Sequence, residues 1–338
     1  MQTTLIDYFP EYTVGNGAAL LQAGRLVAFP TETVYGLGAD ARNAAAVAQI
    51  YQVKGRPSDN PLIVHIAEEW QAEELAEVSP LARRLMTAFW PGPLTLVLPL
   101  RPGALPAVTT GGLNTVGLRM PAHPAALQLL REAALPVAAP SANLSGRPSP
   151  TEAEHVFADM QGKIPLIING GECLAGLEST VLDLASLVPA ILRPGVLTAA
   201  DLAEFLPGLG EQTKLPNGGI ARAPGMKYRH YAPQAKVLLC PAQQLYETYC
   251  QHYQRMIESG IEQPKIAVLA TMQGLTGLAQ AEHCFLLGEN LFQVAQNLFA
   301  ALRWTDDIQA DLVLAEAFPE QGVGIAIMNR LKKAAGMN

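Results

Sequence analysis

Short apolar runs bounded by turn residues alternate with amphipathic stretches along the first 210 residues. Arg25–Phe29, Leu62–Ile66, Leu94–Leu98 and Leu166–Ile168 have the length and composition of buried strands. Val116–Met120, Val137–Ala139 and Thr180–Leu184 repeat the pattern, and Ile191–Arg193 ends a further strand before Pro194. Helical patterns fill the gaps. Pro80, Pro124 and Pro150 stand where helices can begin, because a first-turn proline forfeits no helical hydrogen bond. Thr151 and Glu154 have capping-box spacing, a side-chain acceptor followed three residues later by a carboxylate. The pattern predicts an α/β domain whose prolines and glycines crowd the loops after strands.

After Pro233 the alternation starts afresh. Lys236–Cys240, Lys265–Leu269 and Asp311–Ala315 read as strands, with one helix running to about Glu258 and another over Gly324–Ala335. Leu291, Val294, Ala295, Leu298, Phe299 and Leu302 recur at helical spacing and form one apolar face. Strands separated by helices imply parallel pairing through crossovers, hence a smaller doubly wound domain. The expected organisation is an α/β domain over 1–210, a linker over 211–235 and a second domain over 236–338.

Composition supports this division. The 338 residues are 49% hydrophobic and 16% charged, which excludes a disordered chain or a coiled coil. At ~150 residues per domain the length fits two. No run reaches the ~18 apolar residues of a membrane span, and Met1–Pro10 lacks the basic start and apolar run of a signal peptide. Cys173, Cys240, Cys250 and Cys284 are scattered without metal or redox spacing. A soluble cytoplasmic protein with no membrane partner is expected.

The net charge of −7 is unevenly spread. Residues 1–210 hold 12 basic against 19 acidic side chains, and 236–338 hold 7 against 10. Residues 211–235 reverse the sign, with 4 against 1. An acidic whole argues against duplex nucleic acid as the main ligand, since that affinity comes from neutralised phosphates. The short basic segment is either a solvated linker or a strap that closes over a small anion.

No phosphate loop of the GxxxxGK[ST] type, dinucleotide GxGxxG loop, HExxH, GxSxG elbow or zinc spacing occurs. Polar residues instead gather after strands, where open α/β sheets bind ligands. Pro30–Gly38 brings Thr31, Glu32 and Thr33 directly after the first strand. Lys54-Gly-Arg56 suits a loop aiming two cations at one polyanion, Arg56 offering a planar fork and Asn60 an amide. Ser141, Asn143, Ser145, Arg147 and Ser149 crowd one turn that can cradle phosphates or a sugar. Thr115, Arg119, Ser179 and Arg193 are single polar residues at strand ends, and Tyr228 and Tyr231 lie among cations in the basic segment. Each alone reads equally as a turn satisfying its own backbone. Together they describe a cleft with cations and hydroxyls but no nucleophile–base pair.

The motifs PTETVYGLGA, KGRPSDNPLIVH, WPGPLT, RMPAHP, APSANLSGRPSPT, ESTVLD, ILRPG and APGMKYRHYAP stand in this order between Pro30 and Pro233. In them the chain closely resembles the threonylcarbamoyl-AMP synthase family, YrdC-type, in its long form. The resemblance extends to about Lys333 and no motif position departs from the family pattern. It implies a YrdC-like α/β domain joined by a closing linker to a smaller Rossmann-like, doubly wound domain. The implied reaction joins L-threonine, bicarbonate or CO2, and ATP into threonylcarbamoyl-AMP, releasing pyrophosphate and water. A separate transferase then uses the product to modify the adenosine beside the tRNA anticodon, with a weak tRNA contact as a further implied partner.

By motif, the resemblance gives L-threonine to Thr33, His65, Arg119, Ala139 and Ser179. It gives ATP to Arg56, Asn60, Thr115, Ser141, Ser149, Arg193 and Tyr228. Lys54, Arg56, Ser141 and Asn143 match the family's KxR…SxN tetrad, taken as catalytic. Magnesium enters only through ATP chemistry, with no protein ligand identified and no metal site. One rival is a carbamoyl-adenylating module like that of hydrogenase maturation proteins, which carry zinc fingers that this chain lacks. Another is an RNA-binding or ribosome-assembly module of the same fold, which the net charge disfavours. A purely structural scaffold leaves the clustered cations and hydroxyls unexplained.

Overall fold

A computed structural model describes residues 2–8, 14–209 and 231–337. These fall into two compact units, one of 2–8, 14–145 and 149–209, the other of 146–148 and 231–337. Most of the expected 211–235 linker, with Tyr228, lies outside the described residues.

The strands of the first unit are β1 (Thr4–Asp7), β2 (Val27–Phe29), β3 (Gly36–Asp40), β4 (Ile63–His65), β5 (Leu94–Pro99), β6 (Thr115–Arg119), β7 (Val137–Ala138), β8 (Leu166–Asn169), β9 (Thr180–Asp183) and β10 (Ala190–Arg193). Among the described residues they form one mixed sheet, ordered β1-β8-β2-β3-β7-β4-β6-β5-β9-β10. The pairs β1/β8, β8/β2, β4/β6 and β5/β9 are parallel, and the others antiparallel.

Because side chains alternate across a strand, each residue's parity decides its face. Val64, Leu96, Leu98, Val116, Leu118 and Leu182 turn into the main core with Ile50, Leu75, Leu85 and Met86 from the covering helices. On the opposite side, Val27, Phe29, Val137 and Ile168 pack against Leu21 and Leu129 of helices Gly15–Gln22 and Pro124–Ala133. Farther along that side the apolar residues dwindle to the small cluster of Ile63, Val97 and Val181. At about 1.5–3 kcal/mol per fully buried aliphatic side chain, the two larger clusters hold the sheet together. The small cluster contributes little by comparison, and the polar cleft is built around it.

Pro80 and Pro124 open helices as the sequence predicts, behind the caps Ser79 and His123. Pro150 and Thr151 do not. The next helix, Ala153–Met160, starts later with Glu152 at its cap and no side-chain capping bond. Thr151 is buried, and its carbonyl accepts the Cys173 N–H at 2.9 Å, so it serves loop packing rather than the Thr151–Glu154 capping box. A complete capping box forms instead at Thr198 and Asp201.

The second unit contains β11 (Lys236–Pro241), β12 (Ile266–Ala270), β13 (Cys284–Leu286) and β14 (Leu312–Ala317), all parallel in the order β11-β14-β12-β13. Leu245 and Tyr249 of helix Leu245–Glu258 cover Val268, Ala270, Leu312 and Leu314. The alternate residues Ala267, Leu269, Val313 and Ala315 are equally buried, as a parallel sheet with two covered faces requires. Helices Leu291–Asp307 and Val323–Ala334 pack on each other and supply the second layer. The doubly wound expectation is met.

At the carboxyl ends of β12 and β14 such folds often hold a ligand. Here Glu316 accepts hydrogen bonds from the Thr271 N–H and hydroxyl at 2.7 and 2.9 Å. A Cβ on Gly274 would lie 2.6 Å from Glu316 Oε2, so the crevice is filled by the unit's own atoms. No helix among the described residues is long and apolar enough to cross a membrane.

Candidate active site

Strand register assembles the site on the first unit's sheet. His65 and Arg119 are Cα partners across β4 and β6, while Ile63 and Val97 both pair with Gly117. Thr95, Val181 and Arg193 form one row across β5, β9 and β10. Thr115, Gly117 and Arg119 therefore share a face of β6, with Ile63, Val97 and Val181 as apolar neighbours. A Cβ on Gly117 would meet Thr95 Cγ2 at 3.3 Å and Ile63 Cγ1 at 3.6 Å, so glycine leaves the floor low at its centre. Thr115 and Arg119 stand at opposite ends of β6, about 13 Å apart at ~3.3 Å per residue. The residues assigned to threonine and to ATP thus spread along the strands rather than around one point.

At the Arg119 end, the guanidinium is buried and engaged on every side. Nη1 donates to Thr33 Oγ1 at 2.8 Å and Nε to the Gly92 carbonyl at 3.2 Å. Nη2 lies 2.7 Å from Glu32 Oε1, a close contact of opposite charges rather than an aligned hydrogen bond. Glu32 Oε2 accepts the Ala122 N–H at 3.1 Å, which fixes the carboxylate. Thr33 Oγ1 also meets Thr31 Oγ1 at 2.9 Å, and Thr31 donates to the Val34 carbonyl.

His65 is buried edge-to-face against Phe29, and its Nδ1 has no hydrogen-bond partner among the described residues. Burial, and secondly the Arg119 charge, push its pKa from 6.5 down to about 3, so the ring is neutral at physiological pH. Ala139 is buried beside it, with its N–H donating to the Ile63 carbonyl at 2.9 Å.

Ser179 joins the two sets of residues. Arg193 donates through Nε and Nη2 to the Ser179 carbonyl at 3.1 and 3.0 Å, and through Nη2 to its hydroxyl at 3.1 Å. The same hydroxyl lies 2.7 Å from Thr95 Oγ1. Ser149, assigned to ATP by motif, donates at 2.6 Å to Glu178, its carboxylate being largely buried.

The tetrad gathers where helix Ala44–Lys54 ends. Gly55, at φ 64°, takes the left-handed cap conformation and turns the chain, so that Lys54 stays on the helix and Arg56 leaves it. Lys54 Nζ donates to the Ser141 and Asn143 carbonyls, both at 2.5 Å, and the Ser145 N–H returns to the Lys54 carbonyl. Ser141 Oγ donates to Asn143 Oδ1 at 2.6 Å. Lys54 is the knot of this turn.

Arg56 Nη2 makes long contacts of 3.4 and 3.3 Å with the Asn60 and Pro61 carbonyls. Asn60 is fully buried, yet neither its amide nitrogen nor its oxygen has a partner among the described residues. Tyr51 holds its backbone by donating to the Asn60 carbonyl at 3.0 Å. A buried amide with both ends unsatisfied is costly, and such a group suits a polar ligand.

Apart from Tyr228, the motif-assigned residues lie on strands of this sheet, in the loops that border them or, for Lys54, at the end of helix Ala44–Lys54. Arg147, from the same serine-rich turn, groups with the second unit. Glu32, Thr95 and Glu178 carry polar contacts that the sequence assignment left out. Each stands inside a quoted motif, next to or near an assigned residue. Among the described residues, no group of three or more His, Cys, Asp or Glu is arranged to hold a metal.

A family model described as "Telomere recombination" matches residues 19–195, and one described as "Threonylcarbamoyl-AMP synthase, C-terminal domain" matches residues 197–336. The chain is 47% identical over 332 residues to a threonylcarbamoyl-AMP synthase of Bacillus subtilis, covering 96% of this chain and 93% of the relative. Identity to the Pyrococcus abyssi threonylcarbamoyl-AMP synthase is 46% over 334 residues, covering 96% and 95%. The crystal structure of P. abyssi Sua5 complexed with L-threonine superposes with a TM-score of 0.91 at 45% identity, covering 99% of this chain and 98% of that one.

Proposed function

The chain belongs to the threonylcarbamoyl-AMP synthase family, and on that premise we propose how its cleft makes the product. It is an L-threonylcarbamoyladenylate synthase, an ATP-using nucleotidyltransferase that serves tRNA modification.

In our reading, the Arg119 end of the face takes L-threonine through Thr33, His65, Arg119, Ala139 and Ser179. The Asn60 and Thr115 end takes ATP, with Arg56, Ser141, Ser149 and, outside the described residues, Tyr228, while Arg193 reaches the nucleotide from the Ser179 side. The threonine amine attacks CO2, or bicarbonate with loss of water, and a C–N bond forms while protons leave to solvent. A carbamate oxygen then attacks the α-phosphorus, the bond to the β-phosphate oxygen breaks, and pyrophosphate departs. Neither step needs a protein nucleophile; both need reactants held in line and charge offset. Arg56 and Arg193 supply that charge. Lys54 works one step back, by fixing the Ser141–Asn143 turn against which the phosphates lie.

Magnesium enters this proposal only with the nucleotide substrate, through ATP chemistry. Bicarbonate, a downstream tRNA-modifying transferase and a cytoplasmic location complete the proposal. The observation that supports it is the buried Asn60 amide, without a hydrogen-bond partner among the described residues, beside Arg56 in the loop that leads into β4. The test is label transfer. Carbon from labelled bicarbonate is expected in an adenylate only when threonine and ATP are both present. Label in the adenylate without threonine overturns the assignment.

A further inference from the structure

Thr95 lies on the site face, fully buried, and among the described residues its Oγ1 has a hydrogen-bond partner only in Ser179 Oγ, at 2.7 Å. Ser179 Oγ already accepts one hydrogen bond from Arg193 Nη2, which can only donate. Two proton arrangements remain for the hydroxyl pair. If Ser179 donates to Thr95, the Thr95 proton is left buried with no acceptor among the described residues. If Thr95 donates to Ser179, it is the Ser179 proton that is left buried without an acceptor among the described residues. Only this second arrangement leaves the free proton on a residue assigned to the threonine subsite, where a ligand oxygen can take it.

We propose that Thr95 is a positioning residue that presets Ser179 as a hydrogen-bond donor toward an oxygen of the amino-acid substrate. The inference rests on the reading of Ser179 as part of the threonine subsite. Arg193 and Thr95 fill both acceptor positions of the Ser179 hydroxyl, so it rejects a ligand donor and selects an acceptor, a carboxylate or carbamate oxygen. The register is built for this: Thr95 and Arg193 flank Val181 in one row, and both reach back to the residue two before it.

The test compares Thr95→Val, which removes the hydroxyl at nearly constant shape, with Thr95→Ser, which keeps it. Pyrophosphate release is measured as a function of threonine and of ATP, alongside melting temperature. Thr95→Val is expected to raise the KM for threonine about 3- to 10-fold while the KM for ATP stays within about twofold, and Thr95→Ser is expected to restore it. Adding Thr95→Val to Ser179→Ala is expected to cost nothing more, because the first acts through the second. A Thr95→Val enzyme with unchanged threonine KM, or with both KM values raised alike, overturns the role of Thr95. Ser179→Ala with unchanged threonine KM overturns the subsite reading itself, which separates the two failures. Should Thr95→Val not fold, Thr95→Cys, a weak donor of similar size, is read against the same two outcomes.

Discussion

His65 and Arg119 are Cα partners across β4 and β6, and the arginine charge adds to burial in keeping the histidine neutral down to about pH 3. In the unfolded chain the same imidazole takes up a proton below its ordinary pKa of 6.5. Between those values the unfolded state binds the extra proton, so stability is full above pH 6.5 and falls as pH drops toward 3. The slope from this residue reaches about 1.4 kcal/mol per pH unit. Denaturant unfolding across pH 7 to 4 is expected to lose one proton's worth of slope in His65→Gln. An unchanged slope would show that His65 is not the buried neutral group.

Arg56 leaves the helix after Gly55, and its contacts to the Asn60 and Pro61 carbonyls are long. Its worth lies in phosphate contacts of about 1.5–3 kcal/mol each. Arg56→Ala is expected to raise the KM for ATP at least 10-fold and leave the melting temperature near that of the parent. Steady-state kinetics and a thermal melt decide it; unchanged pyrophosphate release counts against the assignment.

Lys54 should behave in the opposite way. Its ammonium ties the Ser141 and Asn143 carbonyls, and Lys54→Met strands both in a buried turn. Stability is expected to fall by about 2–4 kcal/mol together with activity. A Lys54→Met protein as stable as the parent would contradict the structural role.

Asn60 separates binding from folding most cleanly. With no partner for either amide atom among the described residues, it costs the free protein stability. Asn60→Leu, of similar volume, is expected to melt no lower than the parent without nucleotide and to lose the stabilisation that ATP gives. A lower melting temperature with the ATP shift intact would mean that the amide serves the fold.

Much of this was legible in the chain itself. The strands from Arg25–Phe29 to Thr180–Leu184 read correctly because they are apolar runs fully buried on at least one face. β3 was not legible: Gly36 and Gly38 look like turn residues, yet glycine is needed there because a Cβ on Gly38 would meet Val137 and Phe29 atoms at 2.8 and 2.9 Å. β1 and β13 are edge strands of four and three residues, too short to stand out as strands by pattern. The Thr151 capping spacing misled because a buried loop contact outweighed a local one. In the site, the motifs mark which residues gather, but not what each one touches. That Lys54 faces carbonyls, that Glu32 holds Arg119, and that Thr95 backs Ser179 depend on strand register, which sequence spacing does not contain.

The account stands or falls on a requirement for two co-substrates. Pyrophosphate release from ATP, measured with and without L-threonine and bicarbonate and with serine as the control amino acid, tests it most directly. Release that needs both threonine and bicarbonate, and falls with serine, is the predicted result. Release indifferent to either would contradict it.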